Sequence, residues 1–146
     1  MAIFGAFRAA KRDDGELGKG VWRRAHDRFR RGLDRFHQML EGVQDEDLRA
    51  ALVPIANDLA DLLPRVRKVC RRAQNIAPSE SLDVPAGRFP AVHRELTKAG
   101  NALATAAEAV AMVRLQELPP DAVGRRAAQV VEHVAVAEVL MPAEST

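Results

Sequence analysis

The chain is predicted to be an all-α four-helix bundle, built from antiparallel hairpins joined by one long connection. Three observations predict it. Apolar residues recur in steps of three and four along four separate stretches of the 146 residues. Alternating β-branched runs are nearly absent, tyrosine is missing, and alanine, leucine, arginine and glutamate dominate, so strands have little to be built from. Two of the connections between the stretches are short and the third is long, which suits two hairpins and one crossover.

The opening MAIFGAFRAAKRDDGE sets Ile3, Phe4 and Phe7 beside Arg8, Lys11 and Arg12. As a helix, it has one apolar face with cations able to reach lipid head groups. The following DDGELGKG contains three glycines, each costly within a helix. Residues 1–20 are therefore expected to be a flexible amphipathic segment ending in a hinge.

The bundle is expected over residues 21–141. Its first helix, 21–43, carries Trp22, Phe29, Leu33, Phe36, Leu40 and Val43 on one face, with His26 in phase. The second, 46–76, follows the acidic QDEDL, which suits a helix N-terminus. Its seam is Leu48, Leu52, Ile55, Leu59, Leu62, Val66, Val69, Ala73 and Ile76. Pro54 and Pro64 each remove an amide proton, so one bent helix is expected, with Pro64 the place for a break.

Residues 77–89 lose the periodicity and form a linker long enough to cross from one end of the bundle to the other, with a helical turn expected at PSESL. Pro90 opens a third helix, 90–118, whose seam is Val92, Leu96, Ala99, Leu103, Ala106, Val110 and Val113. LPPD stops it. The fourth helix, 121–141, carries Val123, Ala127, Val130, Val134, Ala137 and Met141, widened by Val131, Ala135 and Leu140. Residues 142–146 are a C-terminal tail. Heptads also suit a coiled coil that borrows its core from a second chain, so a homo-oligomer stays open as an alternative.

Composition narrows the function. No window approaches 18 consecutive apolar residues, and the N-terminus has its apolar residues before its basic ones, the wrong order for a secretory signal. The expected location is cytoplasmic, peripheral at the inner face of a membrane if the N-terminus binds lipid. The single cysteine, Cys70, has no internal disulfide partner; neighbouring arginines could favour its thiolate, although an ordinary helix residue is the simpler reading.

A dinuclear metal bundle needs Glu and His three residues apart on two facing helices. Asp34, His37 and Glu41 come nearest, while Glu132 and His133 are adjacent and cannot share a face, so no metal, cofactor or catalytic residue is assigned.

Charge is the remaining signal. The net charge is +2, yet residues 1–37 carry ten basic and five acidic side chains, 38–60 one and five, 61–75 five and one, and 76–146 six and nine. Arg23, Arg24, Arg28, Arg31 and Arg35 on the first helix and Arg65, Lys68, Arg71 and Arg72 on the second form a candidate surface for an anionic partner. Nucleic acid fits less well, since the acidic DEDL stands where a recognition helix would begin and aromatic stacking platforms are lacking. The expected function is a non-enzymatic helical scaffold or adaptor that binds a protein partner, with an anionic membrane surface as a second contact through Ile3, Phe4, Phe7, Arg8, Lys11 and Arg12. A metal-binding or enzymatic bundle, or a nucleic-acid-binding protein using the basic faces, is the alternative.

Overall fold

Glycine and proline decide where several of the helices stop. The computed structural model describes residues 2–144, with side chains from Phe4 to Glu144. It is all-helical, with six helices among the described residues: α1 (Ala2–Leu17), α2 (Val21–Glu41), α3 (Glu46–Ala60), α4 (Leu62–Ile76), α5 (Phe89–Arg114) and α6 (Asp121–Leu140).

The N-terminal segment differs from the expected hinge. Gly15 lies inside α1, and the helix reaches Leu17 before Gly18, at φ +71°, ends it. The cost of a helical glycine, about 1 kcal/mol, is offset because the next turn buries Leu17 completely. Gly20 then starts α2 against the connection from α4, where Ser79 Oγ accepts the Val21 N–H at 3.1 Å. A Cβ at position 20 would lie 2.3 Å from the Ser79 carbonyl oxygen, so only glycine fits there.

The expected second helix is two helices. Pro64 has no N–H and its ring crowds the carbonyl of Ala60, so the ladder opens at Asp61 and resumes at Leu62. The break thus falls three residues before the proline that causes it. Pro54 sits within α3 without ending it. Asp45 caps α3, accepting the Leu48 N–H at 3.0 Å. Helix α5 stops short of Leu118: Gln116 takes φ 62°, and the bonds Gln116 N–H to Val113 O and Glu117 N–H to Met112 O close a Schellman turn.

Around the bundle, α2 packs on α4 and α5, and α6 on α5 and on the α3–α4 pair. Trp22 meets Phe89 and His93, and Arg28 meets Asn101, so α2 and α5 run parallel. The long connection therefore crosses one end of the bundle instead of spanning its length. Its start and finish both lie at Trp22, whose Nε1–H donates to Ala77 O at 3.0 Å and whose ring meets Phe89 edge-on. No helical turn forms at PSESL; Ser79 instead gathers the bends, its hydroxyl lying 3.2 Å from both Ser81 O and Asp83 O.

The core is the meeting of the four seams. Trp22, His26, Phe29, Leu33, Phe36, Leu40 and Val43 are buried, as is every seam residue from Val92 to Val113 on α5. On α3 and α4 the phase holds in the middle and frays outward: Leu59 is fully buried, Ile55 half-buried and Ile76 51% exposed.

Candidate functional site

With about 100° between successive residues, Phe4, Phe7, Arg8 and Lys11 share one side of α1, and Asp13, Glu16 and Leu17 share the opposite side. The two sides have different fates. Leu17 and Asp13 are buried against the bundle, whereas Phe4 and Phe7 are each 67% exposed. Arg8, Lys11 and Arg12 are exposed as well and make no ion pair among the described residues. The side chain of Ile3 lies outside the described residues.

The inner side of α1 is held by charge. Arg67 Nη2 lies 2.8 Å from both Asp13 Oδ1 and Glu16 Oε2, and Arg23 Nη1 lies 2.6 Å from Asp14 Oδ1. Arg30 is 3.8 Å from the second Asp13 oxygen. The Arg67 hydrogen bond holds the Glu16 carboxyl below the usual carboxylate range. Asp13 is 3% exposed, and its Oδ1, although close to Arg67, has no N–H aligned on it. Asp13, Asp14 and Glu16 thus attach the basic foot to the bundle. Asp13 and Glu16 lie opposite Phe4 and Phe7 in helical phase, whereas Asp14 lies close to the phase of Phe7 and reaches Arg23 from the edge of the helix.

Many arginines proposed for an anionic partner are occupied within the chain. Besides Arg23, Arg65 makes a two-pronged pair with Glu138 at 2.6 and 3.1 Å, Lys68 lies 3.1 Å from Glu144, and Arg72 meets Glu144 and the Pro142 carbonyl. Arg28 donates to the Asn101 amide oxygen. Arg24, Arg31, Arg35 and Arg71 have no ion pair among the described residues. Arg24, Arg28, Arg31 and Arg35 form one exposed stripe, about a quarter turn around α2 from the Arg23–Asp27–Arg30 side that carries α1.

The histidines are absorbed into the fold. His26 is 2% exposed, its Nδ1 2.9 Å from Asp27 Oδ1; His37 Nδ1 meets the Leu33 carbonyl; His133 Nδ1 lies 2.8 Å from Glu95. Among the described residues no three His, Cys, Asp or Glu side chains are grouped as metal donors. Cys70 is fully buried, and burial pushes its thiol up to about 12, which fits the simpler reading of an ordinary helix residue and not a thiolate; Arg71 and Arg72 belong to other sides of α4.

A pH dependence follows. Burial holds His26 and His93 below their ordinary value of 6.5, so both fold as neutral rings while the unfolded chain binds the protons. Stability is therefore complete above 6.5 and falls as pH drops through it. For Asp27, burial raises the carboxyl, but the His26 hydrogen bond and the Arg23 charge outweigh that and leave it lowered. Stability linked to Asp27 and Glu16 is lost only as pH falls on through their lowered carboxylate range. Thermal melts followed by circular dichroism from pH 7.5 to 5 should show a falling midpoint. His26→Leu should reduce that fall, and adding His93→Leu should reduce it again. Equal falls in all three chains would remove both histidines as its cause.

One surface had no counterpart in the sequence reading. Between α3 and α6 lies an open apolar groove of about 500 Å³ with Leu52, Ile55, Gly124 and Ala128 among its walls, continuing past Leu59, Ala127 and Val131. Small residues on α6 leave it unfilled. Gly124 and Ala128, four apart on an otherwise periodic helix, were the signal.

No family model matches this chain, and no curated protein or solved structure is significantly similar to it.

Proposed function

We propose that the chain is a non-enzymatic helical scaffold that seats itself on an anionic membrane surface through α1 and presents its bundle to a protein partner. The single observation that carries this reading is the pair Phe4 and Phe7, both 67% exposed on the side of α1 turned away from the bundle. Among the described residues no helix is long and apolar enough to cross a membrane, so the contact is an interfacial one. Each phenylalanine inserted contributes about 1.5–3 kcal/mol, and each nearby cation about 1 kcal/mol on an anionic leaflet. Arg8 and Lys11, exposed on the same side of α1, supply the cations at the foot. The sum supports reversible seating, sensitive to salt.

Vesicle co-sedimentation tests it. Wild type should bind vesicles containing anionic lipid, and bind neutral ones less; raising salt from about 0.1 M to 0.5 M should weaken binding. Phe4→Ser/Phe7→Ser should weaken binding by about ten-fold or more, with the thermal midpoint unchanged because neither ring is in the core. Equal co-sedimentation of wild type and double variant would refute the lipid contact.

A further inference from the structure

The α3–α6 groove and the aromatic side of α1 are complementary parts of one chain. The groove has an apolar floor with small residues, Gly124, Ala127 and Ala128, where a bundle normally has filling side chains. A helix occupies such a groove by inserting bulky anchors spaced three or four apart. Phe4 and Phe7 have that spacing and are among the most exposed large apolar side chains described.

Charge selects the same match. Arg8, Lys11 and Arg12 flank the two rings. Asp58 of α3 lines the groove, and Asp47 and Glu132 lie one helical turn from its wall residues Ala51 and Ala128; all three are exposed and make no ion pair among the described residues. The cation on the α6 wall, Arg125, is neutralised by Asp121 at 2.6 Å. A basic aromatic helix therefore meets an acid-rimmed apolar groove.

A chain cannot fill its own groove in this state. Asp13, Asp14 and Glu16 hold α1 on α2 and α4, with Phe4 and Phe7 turned outward. We propose that the protein self-associates head to tail, the Phe4–Phe7 side of α1 in one copy lying in the α3–α6 groove of the next. The contact joins different patches of the two copies, so it propagates into a ring or a filament. It does not rest on the lipid reading, although the two contacts share the phenylalanines and exclude each other on any one copy.

Sedimentation velocity over about 1 μM to 1 mM separates the parts. Wild type should grow in mass with concentration beyond 16.0 kDa. Phe4→Ser/Phe7→Ser, which lacks the anchors, and Ala128→Glu, which blocks the groove at an exposed position, should each stay single. Mixed in equal amounts, they should form a two-chain species that grows no further, because one anchor helix and one groove remain. Circular dichroism and Trp22 fluorescence check that both variants fold. Should Ala128→Glu disturb α6, Asp58→Lys, expected to weaken association at least ten-fold and to be rescued by Lys11→Asp, takes its place. Wild type at 16.0 kDa throughout, growth of either variant alone, or failure of the mixture to pair overturns the proposal. Vesicle binding by Ala128→Glu is read separately: retained, it leaves the lipid contact standing whatever the association data show.

Discussion

Trp22→Ala is expected to lower the unfolding free energy by about 3–5 kcal/mol, the range for truncating a buried aromatic residue. Trp22 is 0% exposed and sits where α2, α5 and the crossover meet. Its ring contacts Phe89 at 6.1 Å and His93 at 6.0 Å between centroids, and its Nε1–H holds Ala77 O. Alanine removes the packing and also leaves the Ala77 carbonyl without its indole donor. Against a typical total of about 5–15 kcal/mol, that loss brings the chain near its unfolding threshold. Trp22→Phe keeps much of the ring area and should cost less. Urea unfolding followed by circular dichroism measures both; a change below about 1 kcal/mol for Trp22→Ala would mean that the crossover is not anchored there.

Leu103→Ala is expected to cost about 2–5 kcal/mol, and Leu59→Ala a similar amount, because both are fully buried mid-seam residues whose loss leaves cavities. Leu103 carries a sharper test. It packs over Gly32 of α2, where an added Cβ would lie 2.8 Å from Leu103 Cδ2 and 3.0 Å from Cγ. Gly32→Ala alone should therefore overpack, by about 1–3 kcal/mol, less the roughly 1 kcal/mol that alanine gains over glycine within a helix. Combined with Leu103→Ala, the new methyl enters the vacated space, and the double variant should be more stable than the two separate costs predict. Strict additivity would show that the α2–α5 contact is not made at this pair.

The seams were legible because burial on a helix leaves a period in the sequence. Phe29, Leu33 and Phe36, or Leu96, Leu103 and Val110, recur with that period and are buried. Helix ends were legible where one residue decides them locally, as Asp45 does for α3. The candidate site was half legible. The exposed side of α1 follows from the spacing of Phe4, Phe7, Arg8 and Lys11, but the role of Asp13, Asp14 and Glu16 does not. An acid on a helix shows its charge in sequence, and only its neighbours in space show whether that charge repels a partner or attaches the helix.

What the sequence by itself determined was the helical class, the phase of the seams of α2 and α5 and of the middle of α3 and α4, and the residues those stretches must hide. Those properties follow from local periodicity and the cost of leaving apolar surface in water. Tertiary structure decided the rest: that α5 lies parallel to α2, that the chain breaks at Asp61, that α1 is docked, and that Arg23, Arg65 and Arg67 are paired while Arg24 and Arg31 make no ion pair among the described residues. The α3–α6 groove belongs to the same set, since small residues make a hollow only when the facing helix leaves one. A period states how much of a helix is buried but not against which partner, and ion pairs and grooves are properties of partners distant along the chain.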